Sequence, residues 1–224
     1  MDIVLYAYIS KQNHELILNK FLLDFPLKFQ KKIRNYRRWQ DSQSSLLGRI
    51  LLKVGLQRLG INSDDFDLLY TKYNKPFFKN EDVKFNISHS GSIVVCMISD
   101  KQDLGIDIEL VRSLEVEEFR DQMTDGEWNL IQHSPNRTES FYKYWTQKEA
   151  VVKAHGEGLS ISLKSFEIVN FKTMLAGKMF FVKELKIDPN YICHIAMEDF
   201  EKMKTSKLKI ECFDFSKNLE SSLF

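Results

Sequence analysis

The sequence predicts an α+β protein made of two similar lobes, and three observations support this. The order strand, helices, strands runs through residues 1–102 and begins again at residue 103. A chain of 224 residues with 43% hydrophobic content is long enough for one large core or two small ones. Only four prolines and nine glycines occur, and no low-complexity linker is present. We therefore place one lobe at residues 1–102 and the other at residues 103–224.

The first lobe begins with a strand, because β-branched and aromatic residues fill its first segment. Helices follow, and in the second of them Phe29, Ile33 and Tyr36 recur at i, i+4 and i+7. The predicted elements are a strand at 2–9, helices at 14–24, 27–39 and 42–59, and extended segments at 66–71, 83–88 and 92–98.

The second lobe repeats this order with a longer helical stretch. Thr124 and Glu127 have the spacing of a capping box, and Gly156 and Gly158 follow the last helix, where a left-handed cap is expected. The predicted elements are a strand at 103–110, helices at 115–122, 125–133 and 138–154, and strands at 165–171, 179–186, 191–197 and 207–214.

Composition excludes several classes of protein. The high aromatic content, 12%, excludes a disordered chain. The balance of 32 basic and 31 acidic residues argues against a surface devoted to nucleic acid. Three widely spaced cysteines fit a reducing compartment, and no run approaches the roughly 18 apolar residues of a membrane span. Without a signal-peptide pattern, the chain is predicted to be cytoplasmic, with no membrane partner.

The strand at 103–110 carries two carboxylates on one face. Alternation places Asp107 and Glu109 opposite the apolar residues of the strand. Such neighbours repel one another unless they are solvated, protonated or bridged by a cation. The pattern alone therefore allows either a metal site or the solvated face of an amphipathic strand.

The helix at 138–154 could add a third carboxylate. Glu149 and Lys153 are four residues apart and share one face, as in an ordinary surface ion pair. If Glu149 joined Asp107 and Glu109, the three would form a hard oxygen site without histidine or thiolate. Such a site suits Mg²⁺ better than Zn²⁺, and Mg²⁺ commonly shares its coordination sphere with substrate phosphates.

Phosphate-binding candidates lie in the first lobe. Six of the eleven residues from Lys28 to Arg38 are basic, which indicates either a solvated helix face or a surface for a phosphate-rich ligand. His89 lies in a predicted turn between two apolar strands, where it could meet a phosphate or have no special role.

Four motifs occur in succession along the chain: Tyr73-Asn74-Lys75-Pro76, Phe85-Asn86-Ile87-Ser88-His89-Ser90-Gly91, Gly105-Ile106-Asp107-Ile108-Glu109, and Trp145-Thr146-Gln147-Lys148-Glu149-Ala150-Val151-Val152-Lys153. Together these motifs resemble the Sfp-type 4′-phosphopantetheinyl transferases, and the resemblance covers residues from about 25 to 160. The segment 123–127 differs from the usual family pattern, and a capping box explains Glu127 there without a catalytic role.

The resemblance implies a pseudo-twofold fold with the active site between the lobes. It implies transfer of 4′-phosphopantetheine from coenzyme A to a serine of an acyl or peptidyl carrier protein, with release of adenosine 3′,5′-bisphosphate. Implied Mg²⁺ ligands are Asp107, Glu109 and Glu149, and implied catalytic residues are Glu149, Lys153 and His89. A metal-bound water or hydroxide is the rival to Glu149 as the base. Implied coenzyme A contacts are Lys28, Lys31, Ser45, Lys75, Ser88, His89 and Lys153.

Further expectations concern partners. A two-lobe chain can complete the site as a monomer. The segment between Arg112 and Met123 carries Leu114, Val116 and Phe119, which form either a buried stripe or a docking patch for the carrier. Two other functions remain open. One is a Mg²⁺-dependent nuclease or phosphodiesterase, although Val111 stands where many such enzymes place a lysine. The other is a non-catalytic nucleic-acid-binding module that uses the basic helix at 28–38.

Overall fold

The computed structural model describes residues 2–61, 68–79, 83–100, 102–198, 201 and 208–215. The predicted strand residues 66–67 and 207, and residue 101 between the predicted lobes, lie outside these ranges. Within them, no helix has both the length and the apolar character needed to cross a membrane.

The first half forms a four-stranded sheet covered by helices. Strand order is β10-β1-β5-β4, in which β1 pairs antiparallel with β5 and parallel with β10. A small β2–β3 hairpin lies apart from this sheet. The elements are β1 (Ile3–Tyr8), α1 (His14–Phe21), α2 (Leu27–Arg34), α3 (Trp39–Arg58), β2 (Leu68–Tyr70), β3 (Pro76–Phe78), β4 (Val83–Ser90) and β5 (Ile93–Asp100).

The second half forms an antiparallel sheet of order β6-β9-β8-β7 and supplies one strand to the first. That strand, β10, lies after the predicted boundary at residue 103 but pairs with β1. The split at residues 102 and 103 stays a prediction. The elements are β6 (Leu104–Leu110), α4 (Asp125–Gln132), α5 (Arg137–His155), β7 (Lys172–Leu175), β8 (Lys178–Leu185), β9 (Tyr191–Met197) and β10 (Lys209–Cys212).

The two sheets share a core between them and pack helices on their outer faces. Residues of β1 and β5, such as Val4 and Met97, meet Ile106 and Ile195 of β6 and β9 in one buried cluster. Helix α3 packs on the other face of the first sheet, and α5 packs on the other face of the second. This layered α+β arrangement confirms the predicted fold class.

Strand β4 lies beside β6 and joins it through side chains. The Asn86 side-chain oxygen accepts the Ile106 N–H at 2.9 Å. The Ser90 hydroxyl accepts the Leu110 N–H at 3.2 Å. These side chains satisfy backbone donors that would otherwise point at an unpaired strand edge. The halves therefore meet along a line from residue 86 to residue 90.

Several predicted elements differ from the structure. The predicted helix 27–39 ends at Arg34, and Arg38 is the extended N-cap residue of α3, which begins at Trp39. The segment 115–122 is 3₁₀ rather than α-helical over Val116–Gln122. The predicted strand 165–171 is wrong, because a turn with left-handed Asn170 and Phe171 occupies its end. Strand β7, which follows this turn from Lys172, was not predicted.

Helix α5 approaches β6 closely at Gly105. A Cβ atom built on Gly105 would overlap the Ala150 carbonyl oxygen and come within 2.5 Å of the Ala154 nitrogen. Both are backbone atoms, which cannot move aside without shifting the helix. Gly105 thus sets the distance between the strand and the helix that carry the predicted site.

We predict that Gly105→Ala destabilises the fold by about 1–3 kcal/mol, the typical cost of overpacking a core. Chemical denaturation measures the change. Gly48→Ala is the matched control, because it also lies where a helix meets a sheet. A Cβ atom on residue 48 would meet the Ile87 side chain at 3.0 Å. Alanine also stabilises a helix by about 1 kcal/mol relative to glycine. Unchanged stability of Gly105→Ala would show that α5 can move outward without cost.

Candidate active site

A cavity of about 310 Å³ lies where β4, β6 and α5 meet. Two walls are strands from different halves of the molecule, and the third is the face of α5 on which residues 145, 149 and 153 follow one another at helical spacing. The lining residues are Ile87, Ser88, His89, Asp107, Glu109, Trp145, Glu149 and Lys153.

Asp107 is the most deeply placed carboxylate of the cavity, with only 4% of its surface exposed. Its Oδ1 accepts hydrogen bonds from the Ser88 hydroxyl at 3.0 Å and from the Lys153 ammonium at 2.6 Å. Its Oδ2 is buried and has no hydrogen-bond partner among the described residues. The alternative of a solvated strand face is therefore wrong for β6, because α5 covers this face.

Glu109 and Glu149 line the same cavity from β6 and α5. The Ser90 hydroxyl donates to Glu109 Oε2 at 2.5 Å. Burial raises the pKa of Glu109, and the Asp107 charge adds to the rise. Burial raises the pKa of Glu149 too, and Asp107 again contributes. The cavity thus concentrates negative charge that a cation would stabilise.

Lys153 and His89 supply positive or potentially positive charge. Lys153 pairs with Asp107 across the helix–strand interface, so the alternative of a surface pair with Glu149 is wrong. Desolvation and the Lys153 charge lower the pKa of His89, which favours the neutral imidazole. His89 lies on β4, paired with Val94, and not in the predicted turn; that turn is confined to Gly91 and Ser92.

The residues predicted to contact coenzyme A lie in three places: this cavity, a second cavity, and the helices α2 and α3. Ser88, His89 and Lys153 line the cavity. Lys75 lines a second cavity of about 410 Å³ further along β4 and β6. Its ammonium donates to the Ala154 carbonyl oxygen at 3.1 Å, near the C-terminus of α5.

The basic helix contributes to neither cavity. Lys28 and Lys31 are exposed on α2, and Ser45 is half-buried on α3. None of the three lines either cavity.

Trp145, Asn86 and Ser90 were not identified as site residues from the sequence. Trp145 lines the cavity, and the Ser90 hydroxyl donates a hydrogen bond to Glu109. Asn86 joins β4 to β6, the two strands that form walls of the cavity. The period-two spacing of Asn86, Ser88 and Ser90 on one strand face could have revealed the two that join β4 to β6. The predicted end of this strand at residue 88 hid the pattern.

Glu127 belongs to a buried ion pair rather than to the cavity. Its carboxylate lies 2.8 Å from the Lys148 ammonium, and both side chains are fully buried. Glu127 also accepts the Ile168 and Thr124 N–H groups, which completes the predicted capping box. Lys148 donates to the Leu163 and Phe166 carbonyl oxygens. The pair ties α4, α5 and the following loop together.

Leu114 and Phe119 pack into a cluster that surrounds buried Val116. The Phe119 ring lies 5.0 Å from that of Phe141 and 5.6 Å from that of Trp145, between ring centroids. These contacts favour the buried stripe over the docking patch.

Two family models match this chain in succession. The model for the N-terminal region of 4′-phosphopantetheinyl transferases matches residues 15–101, and the model for the 4′-phosphopantetheinyl transferase superfamily matches residues 103–200. The 4′-phosphopantetheinyl transferase Sfp of Bacillus subtilis is 30% identical over 72% of this chain and 77% of its own. The chain belongs to the 4′-phosphopantetheinyl transferase family.

Other relatives agree. The transferase gsp of Aneurinibacillus migulanus is 34% identical over 62% of this chain and 59% of its own. The L-aminoadipate-semialdehyde dehydrogenase-phosphopantetheinyl transferase of Xenopus laevis is 32% identical over 70% of this chain and 58% of its own.

A crystal structure of Thermotoga maritima holo-[acyl-carrier-protein] synthase covers 42% of this chain and 61% of its own. Its TM-score of 0.34 and identity of 19% are too low to support an argument.

Family membership confirms the predicted enzyme class. The chain is a 4′-phosphopantetheinyl transferase, which uses coenzyme A as co-substrate and modifies carrier proteins. The nuclease and the nucleic-acid-binding module find no support among these relatives.

The buried pair yields a prediction about stability. Lys148→Met leaves the Glu127 carboxylate buried without its cation, so we expect a loss of about 3–5 kcal/mol in the free energy of unfolding. Adding Glu127→Gln removes the uncompensated charge and should recover part of that loss. Urea denaturation of both variants measures this. A double variant less stable than the single one would contradict a role for charge compensation.

Proposed function

We propose that the cavity between β4, β6 and α5 is where the pyrophosphate of coenzyme A is cleaved in a Mg²⁺-dependent transfer to an acyl or peptidyl carrier protein. One observation carries this proposal. Three carboxylates, one ammonium and one imidazole from three elements line one small cavity, and the most buried carboxylate has an oxygen that no donor among the described residues reaches.

The residues present fit Mg²⁺ by their chemistry. Asp107, Glu109 and Glu149 offer only oxygen donors, which Mg²⁺ prefers, and Asp107 Oδ2 is a buried acceptor free to bind a cation. Within the described ranges, no three His, Cys, Asp or Glu side chains form a group that could hold a metal ion. Side-chain rearrangement on binding is thus part of the proposal. When bound, Mg²⁺ would neutralise charge on the pyrophosphate.

The cationic and hydroxyl groups would orient the phosphates. Lys153 and His89 both line the cavity, and Ser88 donates a hydrogen bond to Asp107. Lys75 would bind coenzyme A in the second cavity, close to the end of α5. Lys28 and Lys31 would lie near the adenosine 3′-phosphate, and Ser45 would lie near coenzyme A.

Glu149 is proposed as the base. The incoming serine oxygen would bond to the β-phosphorus of coenzyme A, while the bond from that phosphorus to the bridging oxygen breaks. Adenosine 3′,5′-bisphosphate leaves with the electron pair, and Glu149 takes the serine proton. Burial raises the pKa of Glu149 in the metal-free protein, and a carboxylate with a raised pKa accepts a proton more readily.

Oligomeric state and compartment are also proposals. Every side chain of the cavity comes from one chain, so a monomer would suffice. Among the described residues, Cys96, Cys193 and Cys212 form no disulfide, which fits a reducing cytoplasm.

Glu149→Gln should lower the rate of holo-carrier formation by about 10²-fold or more, because general bases typically contribute 10²–10⁴-fold. Mass spectrometry of the carrier protein measures the rate. Glu139→Gln on the same helix is the control, since Glu139 pairs with Lys143 away from the cavity. Near-normal turnover by Glu149→Gln would remove Glu149 as the base.

The basic helix gives a second prediction. Lys28→Ala with Lys31→Ala should raise the KM for coenzyme A about tenfold, since charge-assisted contacts contribute roughly 1.5–3 kcal/mol. The same double variant should have little effect on 3′-dephospho-coenzyme A, which lacks the phosphate in question. Equal losses with both substrates would show that α2 only presents a solvated face.

A further inference from the structure

The ammonium of Lys153 lies where a cation bound to Asp107 would be expected. Its Nζ is 2.6 Å from Asp107 Oδ1, 3.0 Å from Ser88 Oγ and 3.3 Å from the Ile106 carbonyl oxygen. These three acceptors match the three donors of a lysine ammonium. Lys153 is therefore fully bound by oxygen atoms of β4 and β6.

Asp107 depends on this contact for charge compensation. The carboxylate is 4% exposed, and Lys153 is its salt-bridge partner in the part of the chain that the structure describes. Removing the only compensating charge from a buried carboxylate is costly. A divalent cation that approaches Asp107 must either share this carboxylate with the ammonium, against charge repulsion, or displace it.

The ammonium is able to leave. The Lys153 side chain is 27% exposed, lies on the cavity wall and has a flexible four-carbon stem. The anion that could attract it is a phosphate placed in the cavity beside His89. Glu109, on the same wall, already accepts a hydrogen bond from the Ser90 hydroxyl.

We propose that Lys153 is the resident counter-ion of Asp107 in the free enzyme and that it disfavours divalent cations until phosphates of coenzyme A draw its ammonium away. The inference rests on the proposed function of this cavity. Binding of the cation and of coenzyme A is then positively coupled, and by linkage each ligand tightens the other by the same factor.

The proposal agrees with the arrangement of the carboxylates. Asp107, Glu109 and Glu149 line one cavity, yet they do not form a group that could hold a metal ion among the described residues. While Lys153 is bound to Asp107, the three carboxylates need not come together, because the ammonium already compensates the most buried of them. A cation would bring the three carboxylates together only after the ammonium moves.

Mn²⁺ binding to the full chain, measured by electron paramagnetic resonance without coenzyme A, tests the proposal. Lys153→Met should bind Mn²⁺ at least about tenfold more tightly than the wild type, a factor that corresponds to about 1.4 kcal/mol. Lys143→Met is the matched control and should bind like the wild type, since Lys143 lies on the same helix but pairs with Glu139. Adding coenzyme A should tighten Mn²⁺ binding more in the wild type than in Lys153→Met.

The outcomes separate this proposal from the proposed function. If Asp107→Asn abolishes Mn²⁺ binding in the presence of coenzyme A while Lys153→Met binds Mn²⁺ no more tightly than the wild type, the competition is overturned and the metal site stands. If no variant binds Mn²⁺ with or without coenzyme A, both are overturned. Should Lys153→Met fail to melt cooperatively, Lys153→Gln replaces it, with the same expected direction.

Discussion

The close contact between α5 and β6 is the constraint on which the site depends. Because residue 105 has no side chain, backbone atoms of the helix lie directly against the strand. This places Lys153 within hydrogen-bonding distance of Asp107 and puts Glu149 on the wall of the same cavity. A helix displaced by the thickness of a methyl group would separate the acids that belong to different elements. Gly105 is thus a geometric requirement of the candidate site, two residues away from the first carboxylate.

The junction between the two halves explains why the cavity lies where it does. Two neighbouring strands joined by a complete set of backbone hydrogen bonds would leave no room for a cavity between them. Here Asn86, Ser88 and Ser90 of β4 reach across to β6, and two of them bind backbone N–H groups. The hydroxyls of Ser88 and Ser90 also bind Asp107 and Glu109. The side chains that join the halves therefore also orient the acids.

Local patterns predicted much of this molecule, because they depend on neighbours in sequence. The capping box of Thr124 and Glu127, the left-handed Gly156 and the shared face of Asp107 and Glu109 all follow from spacing. Contacts between segments distant in sequence could not be predicted in this way. Alternation cannot reveal that α5 covers the polar face of β6, since that depends on a segment 40 residues away. It also cannot show that β10 returns to pair with β1.

The site residues likewise divide into those whose grouping the motifs predicted and those placed by contacts that no motif predicts. Ser88, His89, Asp107, Glu109, Glu149 and Lys153 come together because three motifs lie on elements that meet. Lys75 lies elsewhere because it binds the carbonyl at the end of α5, a contact that no spacing rule predicts.

Helix α5 carries two lysine–acid pairs that differ in what they permit. Lys148 and Glu127 are both fully buried, and backbone carbonyl and N–H groups satisfy their remaining hydrogen-bonding positions. Such a pair is rigid, because any movement would leave a bare charge in the core. Lys153 is partly exposed, and its partner Asp107 keeps one oxygen without a donor in the part of the chain that the structure describes. An unsatisfied carboxylate oxygen costs stability, but it allows a ligand to replace Lys153 as the partner of Asp107. The same helix thus fixes its position with one pair and keeps the other exchangeable, five residues further along.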